Sequence, residues 1–196
     1  MKKLLLTALI AGVSATPALA APYISGSVGV GIFGNADVTD SGITDKDGQT
    51  YKSGVPFGGA VGIKNGAYRV EAALGYQTND VDTFNHVTDT RNDSVSTFTY
   101  MVNGYYDVDV KSKSISPYVT AGLGGASITS KVEGESDKSN SVFAWQIGTG
   151  IGIKAANNLT VDLGYRYLKP SKFKDNYGEY TASSSNILAG IRYDFQ

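Results

Sequence analysis

Few residues in this 196-residue sequence could carry chemistry. There is one histidine, His86, and no cysteine. A Ser–His–acid site or a histidine-led lipase would have to be built around His86. No strand pattern sets a serine or an acid beside it, so a solvated loop histidine is expected. Gly29-Val30-Gly31-Ile32-Phe33-Gly34 fits G-x-G-x-x-G. A dinucleotide site would need a helix and a βαβ unit after it, and neither follows, so the glycines read as small residues on one face of a strand. Asp45, Asp47 and Gly48 share part of a calcium-loop pattern but lack its ligand spacing and terminal Glu. No cofactor, metal or catalytic group is expected.

What remains is a set of charges inside otherwise apolar or small-residue runs: Arg69, Glu71, Asp107, Asp162, Arg166, Arg192 and Asp194. Charges away from water need partners. Their value depends on whether the elements carrying them share one enclosed face.

Those elements alternate with period two. Eight segments do so: Tyr23 to Ile32, Phe57 to Lys64, Ala67 to Gln77, Val95 to Val108, Ile115 to Ser127, Val142 to Lys154, Leu159 to Leu168 and Ile187 to Phe195. In the sixth, Phe143, Trp145, Ile147, Ile151 and Ile153 oppose Ala144, Gln146, Gly148, Gly150 and Gly152. Spacing at i, i+2, i+4 is that of strands. The runs approach the 9 to 11 residues that a tilted strand needs to cross a bilayer. Connections alternate in length. Asn65-Gly66 reads as a tight hairpin turn, and Asp109 to Ser114 and Ala155 to Asn158 are short. Phe33 to Pro56, Thr78 to Ser94, Ile128 to Ser141 and Lys169 to Asn186 are long and polar.

Met1 to Ala20 has the parts of a secretory leader: Lys2 and Lys3, an apolar Leu4 to Val13, and Ala18-Leu19-Ala20 for cleavage. Residues 21–196 are then the mature domain, with 15 basic against 18 acidic residues. That balance argues against a nucleic-acid partner. No later window is apolar enough for a spanning helix, so a membrane location demands a closed barrel.

Which face meets lipid follows from residue size and from the aromatics. The non-apolar face is crowded with Gly, Ala, Ser and Thr, which fit a narrow interior. Tyr68, Tyr106, Tyr193 and Phe195 gather at the short-turn ends of the apolar face. Phe57, Tyr76, Tyr100, Phe143, Trp145, Tyr165 and Tyr167 gather at the long-loop ends. Two such groups are the interfacial girdles of an outer-membrane barrel. The expected fold is all-β: an eight-stranded antiparallel up-and-down transmembrane barrel. Its lumen would hold Arg69, Glu71, Asp107, Asp162, Arg166 and Arg192 as an ion-pair network, because eight strands leave room for little but side chains. The long connections are acidic in sum except the last, where Lys169, Lys172 and Lys174 face Asp175 and Glu179.

Pro117-Tyr118-Val119-Thr120-Ala121-Gly122-Leu123-Gly124, Phe143-Ala144-Trp145-Gln146, Leu163-Gly164-Tyr165-Arg166-Tyr167 and Gly190-Ile191-Arg192-Tyr193-Asp194-Phe195 resemble the opacity-protein and OmpA-type small outer-membrane barrels. The resemblance covers the mature chain and is strongest from Pro117 onward. It implies an outer-membrane location, outer-membrane lipids around the wall, variable outer loops, and a non-enzymatic role in adhesion, host interaction or envelope integrity. A small porin and an outer-membrane lipid-modifying enzyme are the alternatives. Gly190, Tyr193 and Phe195 match the signal read by the barrel-assembly machinery, although Gln196 follows the terminal aromatic. The periplasmic peptidoglycan-binding domain of longer OmpA proteins is expected to be absent.

Overall fold

The computed structural model describes residues 20–195 apart from 35, 41–42, 85–86, 89–93, 113, 132–137, 172, 176–177 and 181–182. Side chains at 36–40, 43–51, 81–84, 87–88, 138, 173–175 and 178–180 also fall outside the description. The expected leader up to Leu19, His86 and Gln196 therefore lie outside the described residues. Asp45, Asp47 and Gly48 are described in backbone alone.

Eight antiparallel strands form the wall: β1 Ala21–Phe33, β2 Phe57–Asn65, β3 Tyr68–Phe84, β4 Ser94–Asp107, β5 Ile115–Lys131, β6 Lys138–Ala156, β7 Leu159–Pro170 and β8 Ser184–Asp194. Each pairs with its neighbours in sequence, and β1 pairs with β8, so the sheet closes. Closure removes the two exposed edges an open sheet would present. The side-chain alternation survives intact. Val28, Leu74, Val102, Leu123, Ile187 and Ile191 are each more than half exposed on the outer face. Arg69, Glu71, Asn103, Gln146 and Arg192 are buried on the inner one. This reverses the soluble pattern and suits a wall solvated by lipid.

Aromatic pairs mark both ends of the outer face. Tyr68 lies 5.4 Å from Tyr106 and Tyr193 lies 5.2 Å from Phe195, ring to ring, at the end with the short turns. Phe57–Tyr76 at 5.5 Å and Trp145–Tyr167 at 5.9 Å lie at the other end.

Turn chemistry explains the short connections, with one shift from expectation. Asn65 pairs with Tyr68, so the tight turn is centred on Gly66 and Ala67, one residue later than Asn65-Gly66. Only Gly66 has positive φ, at 59°, which places a glycine at the first central position, as a II′ hairpin turn requires. The turn between β6 and β7 tightens to residues 157–158, since Ala156 pairs with Leu159. Between β4 and β5, Lys111 takes φ 58° and its N–H donates to Asp109 Oδ1, an Asx turn.

The long connections differ more. They were expected to be loops, yet the strands run well past the apolar belt. β3 and β5 have 17 residues each and β6 has 19. Short strands Ala36–Asp40, Ile43–Tyr51, Val87–Thr88, Phe173–Asp175 and Gly178–Tyr180 fill much of the remainder. They join into one sheet. Phe173–Asp175 pairs with Gly178–Tyr180, which reaches Ala36–Asp40 through Glu179 and Thr39. Ala36–Asp40 pairs with Ile43–Tyr51, which pairs with the outer part of β3.

Candidate functional site

Two polar layers fill the lumen, and each follows from the inward parity of its strands. At the short-turn end, Arg69 on β3 pairs with Tyr105 on β4, which sets Asp107 two residues along on the same inner face. Arg69 donates from Nε at 3.0 Å and from Nη2 at 2.8 Å to Asp107 Oδ1. Lys64 Nζ lies 2.9 Å from Asp107 Oδ2. The Arg69 guanidinium also sits 4.2 Å from the Tyr105 ring centre and 5.1 Å from that of Tyr118. Such stacking favours a desolvated guanidinium over an ammonium. Around the wall, Arg192 on β8 donates from Nε at 3.1 Å and Nη2 at 3.3 Å to the two oxygens of Asp162 on β7. Fork-to-carboxylate geometry of this kind fixes orientation as well as charge.

Glu71 and Arg166 differ from the expected ion-pair network. Glu71 has no cationic partner within salt-bridge distance among the described residues. Its carboxylate accepts instead from Tyr23 Oη at 2.9 Å, Asn103 Nδ2 at 2.9 Å and Tyr105 Oη at 2.8 Å. Three neutral donors satisfy the anion where a cation would have had to give up its own hydration. Gln146 extends the layer by donating to Asn103 Oδ1. Arg166 makes no hydrogen bond or ion pair among the described residues. It lines an internal cavity of about 110 Å³ that also touches Arg69, Glu71, Thr97, Gln146, Asp162 and Asn186. Asp194, at the end of β8, has a buried Oδ1 without a hydrogen-bond partner.

The second layer lies at the outer end and is neutral. Asn79 is 1% exposed. Its Nδ2 donates to the Gly31 carbonyl at 3.2 Å and the Lys52 carbonyl at 2.7 Å. Gln77 Nε2 donates to Asn79 Oδ1 at 2.8 Å, and Ser184 Oγ donates to Gln77 Oε1 at 3.0 Å and lies 2.9 Å from Asn186 Oδ1. The layer anchors the end of the first long connection. Gly31 and Gly54 bridge through both N–H···O bonds, and Gly29 N–H reaches the Pro56 carbonyl. Glycine is required at 54, because a Cβ there would lie 2.1 Å from the Thr78 carbonyl oxygen.

Sequence reasoning missed Tyr23, Lys64, Asn79 and Ser184 as lumen contacts. Asn79 continues the inward parity of Gln77, which was the available signal. Tyr23 lies over Gly62, where a Cβ would meet its ring at 2.5 Å. Of the terminal-strand residues expected to form the assembly signal, Gly190 faces inward by parity, while Tyr193 and Phe195 are 40% and 44% exposed on the outer face.

Residues 4–195 match the family described as "Outer membrane protein beta-barrel domain". The outer membrane protein PagN of Salmonella typhimurium is 31% identical over 118 residues, which is 50% of this chain and 49% of PagN; the match spans about half of that relative. Among solved structures, Neisserial surface protein A superposes with a TM-score of 0.60 at 19% identity, covering 90% of this chain and 99% of that one. OprG of Pseudomonas aeruginosa gives 0.61 at 13% identity, covering 90% and 96%. The two structural likenesses establish the fold. The family match, with the outward apolar belt and the closed eight-stranded wall, establishes that this chain belongs to the outer-membrane protein β-barrel domain family and resides in the bacterial outer membrane.

Proposed function

We propose that this barrel is a non-enzymatic surface protein whose outer connections contact a host surface or another environmental ligand. Adhesion or envelope integrity would be the outcome. The observation that carries this reading is the sheet built by the outer connections and the extended end of β3, rooted on the neutral layer around Asn79. Binding groups on loops gain precision when a rigid scaffold positions them. The filled lumen below offers little room for a substrate path. The test is attachment of intact cells to cultured host cells. Replacing residues 36–51 by a short Gly-Ser turn is expected to abolish attachment while the barrel remains folded and inserted. Unchanged attachment would count against the reading.

In the same reading, outer-membrane lipids solvate the wall, and the barrel-assembly machinery recognises Gly190, Tyr193 and Phe195. Tyr193 and Phe195 are in edge contact on the outer face. Phe195→Ala is expected to lower the inserted fraction in cells without changing the stability of protein refolded in detergent.

A narrow pore is the second reading, and the internal cavity is the observation that favours it. It requires both polar layers to part, and conductance decides it.

A further inference from the structure

We propose that the internal cavity is a binding site for one small monovalent anion, of the size of chloride or nitrate, held beside Arg166. The lumen brings Lys64, Arg69, Arg166 and Arg192 together with four carboxylates, and most of these charges are already committed. Asp107 is taken by Arg69 and Lys64. Asp162 is taken by Arg192 through both oxygens. Glu71 accepts from three neutral donors. Asp194 pairs with Tyr23 at the periplasmic end of β8, whereas Arg166 pairs with Asn186. Those two points on β8 are separated by roughly 25 Å of strand rise. Arg166 thus brings five N–H donors to the cavity and no carboxylate to receive them.

Thr97 is the second, independent sign. It is 3% exposed and lines the same cavity, yet its Oγ1 has no hydrogen-bond partner. A buried hydroxyl without a partner is costly. An anion accepts from both the guanidinium and the hydroxyl, supplying the hydrogen-bond partner that each lacks. About 110 Å³ has room for a small anion with several waters. Because the site lies within the lumen, its occupancy bears on the barrel itself and is independent of what the outer connections bind.

The experiment compares the thermal unfolding midpoint of the folded barrel in detergent in nitrate or chloride with that in gluconate, at constant ionic strength. The midpoint is expected to rise saturably with nitrate or chloride and to stay flat in gluconate, a bulky and strongly hydrated anion. Arg166→Gln is expected to abolish the rise. Thr97→Val, a near-isosteric change, is expected to raise the half-saturating concentration about fivefold, the worth of one hydrogen bond. Crystals grown in bromide should show one anomalous peak beside Arg166. Equal midpoints in all three salts would overturn the proposal. So would an equal rise in Arg166→Gln, or a cavity holding only water in the bromide crystals.

Discussion

At the short-turn end of the lumen, Arg69, Asp107 and Lys64 meet as charges, whereas at the opposite end Gln77, Asn79, Ser184 and Asn186 meet as neutral amides and hydroxyls. Both layers bridge strands distant in sequence, and both are buried. They differ in what is left when a partner is removed. A stranded carboxylate inside the barrel has lost its hydration and its counter-charge together. A stranded amide loses one or two hydrogen bonds, and water from the outer side can replace them. The charged layer therefore acts as a lock on the wall. The neutral layer acts as a seat for the connection ending at Pro56, close to where partner contacts are proposed.

The largest test of this difference is Arg192→Ala. Asp162 has no other cationic partner within salt-bridge distance among the described residues, so about 3 kcal/mol should be lost in urea unfolding of the folded barrel. Arg69→Ala should cost less, about 2 kcal/mol, because Lys64 still faces Asp107. Equal losses would show that Lys64 contributes nothing to holding Asp107. Asn79→Ala should cost about 1–2 kcal/mol. Its more telling effect is on intact cells, where protease cleavage between residues 36 and 56 should rise while cleavage elsewhere stays constant. Ser184→Ala is the smallest, about 1 kcal/mol, with no change in protease pattern, since Gln77 keeps its bond to Asn79.

The legibility of these regions from sequence follows the same divide. Within the lipid belt every second residue must be apolar, so period-two alternation located all eight strands and the face of each residue. Arg69, Asp107, Asp162 and Arg192 stand out there because charge is rare on those strands. Outside the belt both faces are polar and the alternation vanishes. The outer extensions of β3, β5 and β6, and the short strands between them, therefore read as loops. Asn79 was lost for that reason: Thr78 and Asp80 beside it are polar too, so only its parity with Gln77 marked it as inward. Glu71 was placed in the lumen but given the wrong kind of partner. Register alone does not reveal that Tyr23, from the other side of β2, reaches across to it.

The central claim is that the two layers close the lumen and leave the outer connections as the place where this protein acts. Single-channel recording of the wild-type barrel in planar bilayers tests it most directly. Closed layers predict a silent bilayer, with brief openings appearing only when Arg69→Ala and Arg192→Ala are combined. A steady, reproducible conductance from the wild-type protein would contradict the account and favour the pore.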